Sequence, residues 1–119
     1  MTPIFIGIGI GALSGVVAAL CGVGGGIVMV PAFTMLLGLD QKTAAATSLG
    51  AIVLMAIAAT TKNHSNGLID WKVAIPCALA GALVAWFAAD LLKTLSNQTL
   101  TRIFAVILIG VGIQMLLKK

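Results

Sequence analysis

The chain has no glutamate and no tyrosine, and only three acidic residues and one histidine. That poverty leaves paired-carboxylate and triad chemistry almost nothing to draw on, so no enzymatic activity is expected. The two cysteines, Cys21 and Cys77, lie far apart in apolar stretches. They supply neither a disulfide framework nor metal-ligand spacing, and each is expected to be a small buried hydrophobe. No metal and no cofactor are implied. Charged residues make up 8% of the chain, and its lysines and arginines, Lys118-Lys119 apart, stand singly between apolar runs rather than in a patch. That pattern argues against nucleic-acid binding, despite a net charge of +4.

What is present is hydrophobicity, at 61% of the residues and a mean hydropathy of +1.18. The expected fold class is therefore an all-α integral membrane protein, multi-pass, in the cell (inner or plasma) membrane. Residues 1–119 read as a single membrane domain. The start lacks a basic region, and membrane-like sequence continues beyond Ala19, so no cleaved signal peptide is expected.

The first apolar run, Pro3 to Leu39, contains no charged residue. As one helix it would measure roughly 55 Å against a hydrocarbon core of about 30 Å. It is interrupted at Cys21-Gly22-Val23-Gly24-Gly25-Gly26, with four glycines in five positions, and the helix should break there. Residues 4–37 thus form a glycine-broken pair, Ile4–Leu20 and Ile27–Leu37. The second member is too short to cross alone, and Pro31 sits one turn inside it. Gly7, Gly11 and Gly15 predict a smooth packing face, with Ser14 another small packing residue. After a polar turn at Gly38–Lys42, membrane spans are predicted over 43–61, 72–89 and 103–117. Thr43 and Asp70 are suited to N-capping, and Trp71 and Trp86 to interface anchoring. Between the spans lie a polar loop, Lys62–Trp71, with an Asn66-Gly67 turn, and an amphipathic stretch, Asp90–Arg102, in which Asp90 and Lys93 can pair.

A re-entrant hairpin plus three spans places Lys42, Lys93 and Arg102 on one side and Lys62, Lys72, Lys118 and Lys119 on the other. So even a distribution sets orientation weakly. Two copies inserted oppositely would reproduce what many transporters build from inverted repeats, so an antiparallel homodimer is favoured. If both early segments cross fully, a parallel dimer is expected instead.

A broken helix at membrane depth must face protein or a watery cavity. At Gly24-Gly25-Gly26, free N–H groups meet the positive end of the following half-helix, and glycine lets a ligand approach the backbone. A small anion is the expected guest, with Gly22, Gly24, Gly25 and Gly26 as its seat. Close packing alone would need spaced glycines, not three in a row. In Ala44-Ala45-Ala46-Thr47-Ser48, the hydroxyls of Thr47 and Ser48 either join that site or bond back to the preceding turn. Pro31, His64 and Asp70 are candidates for structural or gating roles. For His64 solvation in a loop stands against proton sensing, and for Asp70 capping stands against proton coupling. A nucleotide loop is excluded, because no Gly-Lys-Ser/Thr follows and no soluble strand precedes. No acid or base stands at the centre of a span, so a carboxylate proton relay is absent.

The run Leu20-Cys21-Gly22-Val23-Gly24-Gly25-Gly26-Ile27-Val28-Met29-Val30-Pro31 resembles the glycine-rich first signature of the sulfite exporter TauE/SafE family of membrane permeases. Ala44-Ala45-Ala46-Thr47-Ser48-Leu49, His64 with Gly67-Leu68-Ile69-Asp70-Trp71, and Gly81 are similar to its later landmarks, in order, over nearly the whole chain. The resemblance implies a transporter of sulfur-containing or organic anions such as sulfite or sulfonates. It also implies one repeat of a two-repeat fold, hence a half-size member that must dimerise. Cys21 departs from the aliphatic or small residue common there. The competing readings are a non-transporting membrane scaffold or accessory subunit, and a passive anion channel.

Overall fold

A computed structural model describes residues 2–118 and contains five helices: α1 (Thr2–Cys21), α2 (Gly26–Leu36), α3 (Gln41–Ser65), α4 (Trp71–Thr94) and α5 (Asn97–Leu117). No strand occurs among the described residues. All but α2 are long and apolar enough to cross a membrane, and the protein is a multi-pass, all-α membrane protein. With 11 residues, or about 16 Å of rise, α2 reaches only halfway.

The glycines set this interruption. Gly22, at φ 71°, takes the left-handed conformation that ends a helix, and its N–H closes on the Ala18 carbonyl at 2.9 Å. Gly24 and Gly25 are also left-handed, at 74° and 77°. The chain can therefore turn back within a few residues and restart as α2, which runs unbroken through Pro31. Its N-terminus lies against the middle of α3: a Cβ placed on Gly24 would stand 3.5 Å from Ile52, and one on Gly25 3.3 Å from Met55. Ile52 and Met55 flank the midpoint of α3, so the half-helix begins at mid-height of the bundle.

The core is small. Ile10 of α1, Met29, Val30 and Phe33 of α2, and Ala44 of α3 are buried together, with Ile52, Met55 and Phe104 packed at its edge. By contrast α4 and α5 bury no residue. They are tied to α3 at its ends. Near the start of α3, the Lys42 amide donates to Asn97 Oδ1 at 3.1 Å, and Lys42 Nζ to the Lys93 carbonyl at 3.3 Å. Near its end, Trp71 Nε1 donates to His64 Nδ1 at 3.0 Å. Lys42 and Lys93 therefore share one end of the bundle, and Lys62 and Lys72 flank the other.

Several details differ from the sequence reading. The third helix starts at Gln41, with Asp40 rather than Thr43 at its N-cap. Thr43 instead contributes from inside: its hydroxyl, then its amide, holds the Asp40 carboxyl below its usual pKa. The polar loop shrinks to residues 66–70, because α3 continues to Ser65 and stops only where Gly67 turns left-handed. The Asp90–Arg102 stretch is not a separate element but the meeting ends of α4 and α5, divided by Leu95-Ser96. Cys21 and Cys77 are exposed on the outer surface, not buried. Of the α1 glycines only Gly15 meets another helix, with Met55 Sδ 3.9 Å from its would-be Cβ; Gly7 and Gly11 face open space. Asp70 does cap α4, accepting from the Lys72 amide at 3.0 Å, and Asp90 pairs with Lys93 at 3.8 Å across an exposed turn.

Candidate functional site

The start of α2 differs from the other interhelical starts. Asp70 and Ser96 cap α4 and α5 with side-chain oxygens, and α3 receives Asn97 Oδ1 on its first turn. At α2 the N-cap is Gly25, which has no side chain to offer. Its carbonyl accepts from the Val28 and Met29 amides, at 3.1 and 2.9 Å. The amides of Val23, Gly24, Gly25, Gly26 and Ile27 make no hydrogen bond among the described residues. Consecutive free donors at the positive end of a helix dipole form an oxyanion-binding arrangement. Its charge is partial and fixed, with no cationic side chain beside it.

A cavity of about 450 Å³ lies over this turn. Ala18, Ala19, Gly22 and Gly24 form one wall, and Met55, Ala56, Ala59, Thr60 and Asn63 of α3 form another. Trp71, Ala74, Ile75 and Ala78 of α4 close the third side. From Met55 to Asn63 it extends about 12 Å along α3, from mid-height to the helix end. Alanines make the space: a larger residue at any of several positions would fill it. The polar contributions are Thr60, Asn63 and the Trp71 indole, and no charged side chain lines it.

The structure brings some predicted site residues together and separates others. Gly22 and Gly24 line the cavity, while Gly25 is buried immediately behind them and Gly26 is half-buried. Gly25 has the tightest surroundings: a Cβ there would lie 2.9 Å from the Ser14 carbonyl oxygen, with φ 77° adding strain. Ser48 is buried in the lower half of α3, roughly 10 Å along the axis from Met55. Its hydroxyl donates to the Ala45 carbonyl at 2.8 Å, the back-bonded geometry. Thr47 is exposed on a different face. Pro31 is half-buried in α2, one turn below the glycines, with its carbonyl accepting from Thr34 Oγ1 at 2.9 Å. His64 belongs to the last turn of α3 and not to a loop; it accepts from Trp71, whose ring meets it edge-on at 5.5 Å. That bond uses Nδ1 as the acceptor and so leaves Nε2 as the protonated nitrogen of the neutral ring.

Two features escaped the sequence reading. The cavity walls come from the C-terminal half of α3, where Thr60 and Asn63 stand one turn apart, and not from its alanine-rich start. Ser14, expected as packing, is fully buried and its hydroxyl has no partner. The pairing of α3 with α4 reveals the first, and the crossing of α1 over Gly25 the second.

The family described as sulfite exporter TauE/SafE matches residues 3–119. Among curated proteins, "Probable membrane transporter protein YunE" of Bacillus subtilis (strain 168) is 32% identical over 93% of this chain and 41% of its own length. "Probable membrane transporter protein" of Haemophilus influenzae is 30% identical over 91% of this chain and 44% of its own. The chain therefore spans less than half the length of these relatives. No solved structure matches. With its glycine-broken half-helix and a match over nearly its full extent, the chain belongs to the sulfite exporter TauE/SafE family.

Proposed function

We propose that this repeat transports small sulfur-containing or organic anions, such as sulfite or sulfonates, and holds them at the start of α2. The observation that carries the reading is the row of five unpaired amides, Val23 to Ile27, at mid-height beside a cavity that Gly22 and Gly24 line. Gly22, Gly24, Gly25 and Gly26 let the anion approach that backbone. A partial charge suits a transported ligand, because binding must be weak enough to allow release. Efflux of an anion is favoured by an inside-negative potential, at about 2.3 kcal/mol per charge per 100 mV.

The cavity is lined along α3 only from Met55 to Asn63, so in this reading a complete path needs a second repeat. In this reading a second copy supplies it, packed antiparallel so that two glycine turns face a shared centre. The surfaces of α4 and α5 that bury nothing within the chain are available to that copy and to lipid. Thr47, exposed on α3, would reach the anion from the facing copy. Ser48 would contribute only by exchanging its bond to Ala45.

The test is flux in proteoliposomes, with sulfite and ethanesulfonate compared against chloride. Saturable, selective flux is expected from the wild type, and Gly25→Val should abolish it while leaving membrane insertion intact. Full flux from Gly25→Val would overturn the binding site. No flux from the wild type would leave a scaffold, and unsaturable flux a channel.

A further inference from the structure

We infer that Ser14 is an anion-contacting residue and that Met55 is the movable floor separating it from the cavity. The inference rests on the anion-site reading above and adds to it a side chain and a gate. Ser14 is 0% exposed, and its Oγ is the buried side-chain oxygen that lacks a hydrogen-bond partner among the described residues. In a helix a serine hydroxyl readily bonds the carbonyl one turn earlier, as Ser48 does with Ala45 here. Ser14 does not, although burial makes an unpaired hydroxyl costly.

Its position explains what the hydroxyl is kept for. Ser14 lies directly against the N-cap of α2: a Cβ on Gly25 would stand 3.2 Å from the Ser14 Cβ. The base of the Ser14 side chain thus lies against the cap residue of α2, in the same turn as the unpaired amides, and a change of its rotamer would set one side-chain donor next to several backbone donors. Met55 lies over the pair. Its Cε would be 3.3 Å from a Cβ on Gly25 and its Sδ 3.9 Å from one on Gly15, while its other side lines the cavity. An unbranched thioether adapts its shape at low cost. Swinging Met55 aside joins the cavity to Ser14, and an arriving oxyanion then accepts the Ser14 hydroxyl together with the amides. In the closed arrangement seen here, the donor waits without a partner.

Removing a hydroxyl that bonds nothing should not harm folding, which makes Ser14→Ala a clean test. Its melting temperature in detergent should equal or exceed the wild type's. Half-saturation for ethanesulfonate flux should rise about tenfold to a hundredfold, the loss expected for a hydrogen bond to a charged group. Unchanged half-saturation overturns the inference, as does a lost flux accompanied by a fallen melting temperature, which marks a structural role. A second measurement stands apart from transport. In a Cys21→Ala, Cys77→Ala background, the Ser14→Cys thiol should react with N-ethylmaleimide, and ethanesulfonate should slow the reaction. Met55→Ala should speed it, and Met55→Phe should suppress it. A thiol that stays unreactive in folded protein, or reacts at a rate independent of ethanesulfonate, overturns the inference. Wild-type protein without flux overturns the transporter reading alone, since the thiol chemistry still decides the role of Ser14.

Discussion

The first three helices and the last two share a composition but not a fate. α1, α3, α4 and α5 all have mean hydropathies between 1.8 and 2.3 over their most apolar windows. Yet among the described residues every buried one lies between Ile10 and Ser48, and none lies in α4 or α5. Hydropathy selects what enters the membrane, where lipid is as apolar as leucine and gives helices little reason to associate. Close approach of backbones decides what packs. At Gly25 the α1 and α2 backbones come so near that a single Cβ would collide with a carbonyl oxygen. Gly81 of α4 and Gly110 and Gly112 of α5 face open space within the chain, so the same residue type does no packing there.

This contrast can be broken most directly at Met29, which is fully buried. Met29→Ala should cost about 2 kcal/mol or more in a detergent unfolding titration, as core truncations do. The equivalent truncation on the outer half, Leu83→Ala, should leave the unfolding midpoint of the single chain unchanged. A dimer-dissociation measurement sharpens the point, since weakened association by Leu83→Ala would show that a second copy covers α4. A smaller effect is expected at the α4 N-cap. Asp70→Ala should cost about 1 kcal/mol and should not be repaired by the other loop residues, because Asp70 supplies the cap bond to Lys72.

The smallest effect concerns acidity at the α3 start. The Asp40 carboxyl is held below its usual value of 3.8, chiefly by the Thr43 hydroxyl. A lowered folded-state pKa stabilises the fold above that value, and the contribution fades as pH falls through the folded-state value. Asp40 is fully exposed, so the slope should be slight. Asp40→Asn should remove it from the acid limb of the stability profile.

The sequence made the break itself legible, because four glycines in five positions leave the backbone no alternative. The short α2, the Asp70 cap and the Asp90–Lys93 pair were equally readable, since each is decided by residues within one turn. Helix ends were less so. Thr43 and Asp40 are both good caps, and the first-turn Lys42 amide is taken by Asn97, far along the chain. The cavity walls were not readable at all. Ala56, Ala59, Ala74 and Ala78 look like generic membrane residues until α3 and α4 are set side by side. Ser14 reads as packing in the sequence for a similar reason. Its unusual property is a missing partner, and an absence of that kind has no signature in one dimension.

The halfway reach of α2 has a consequence for voltage. The free amides of Val23 to Ile27 call for water or a ligand, and the cavity that Gly22 and Gly24 line extends from the turn toward the end of α3. Water admitted to that depth carries the electrical potential of its own side inward. The transmembrane voltage would then fall mainly across the other half of the protein, where Met29, Val30 and Phe33 pack in the buried core. On the proposed reading, a charge held at the glycine turn would already stand near one electrode, and its remaining crossing would be short and steep.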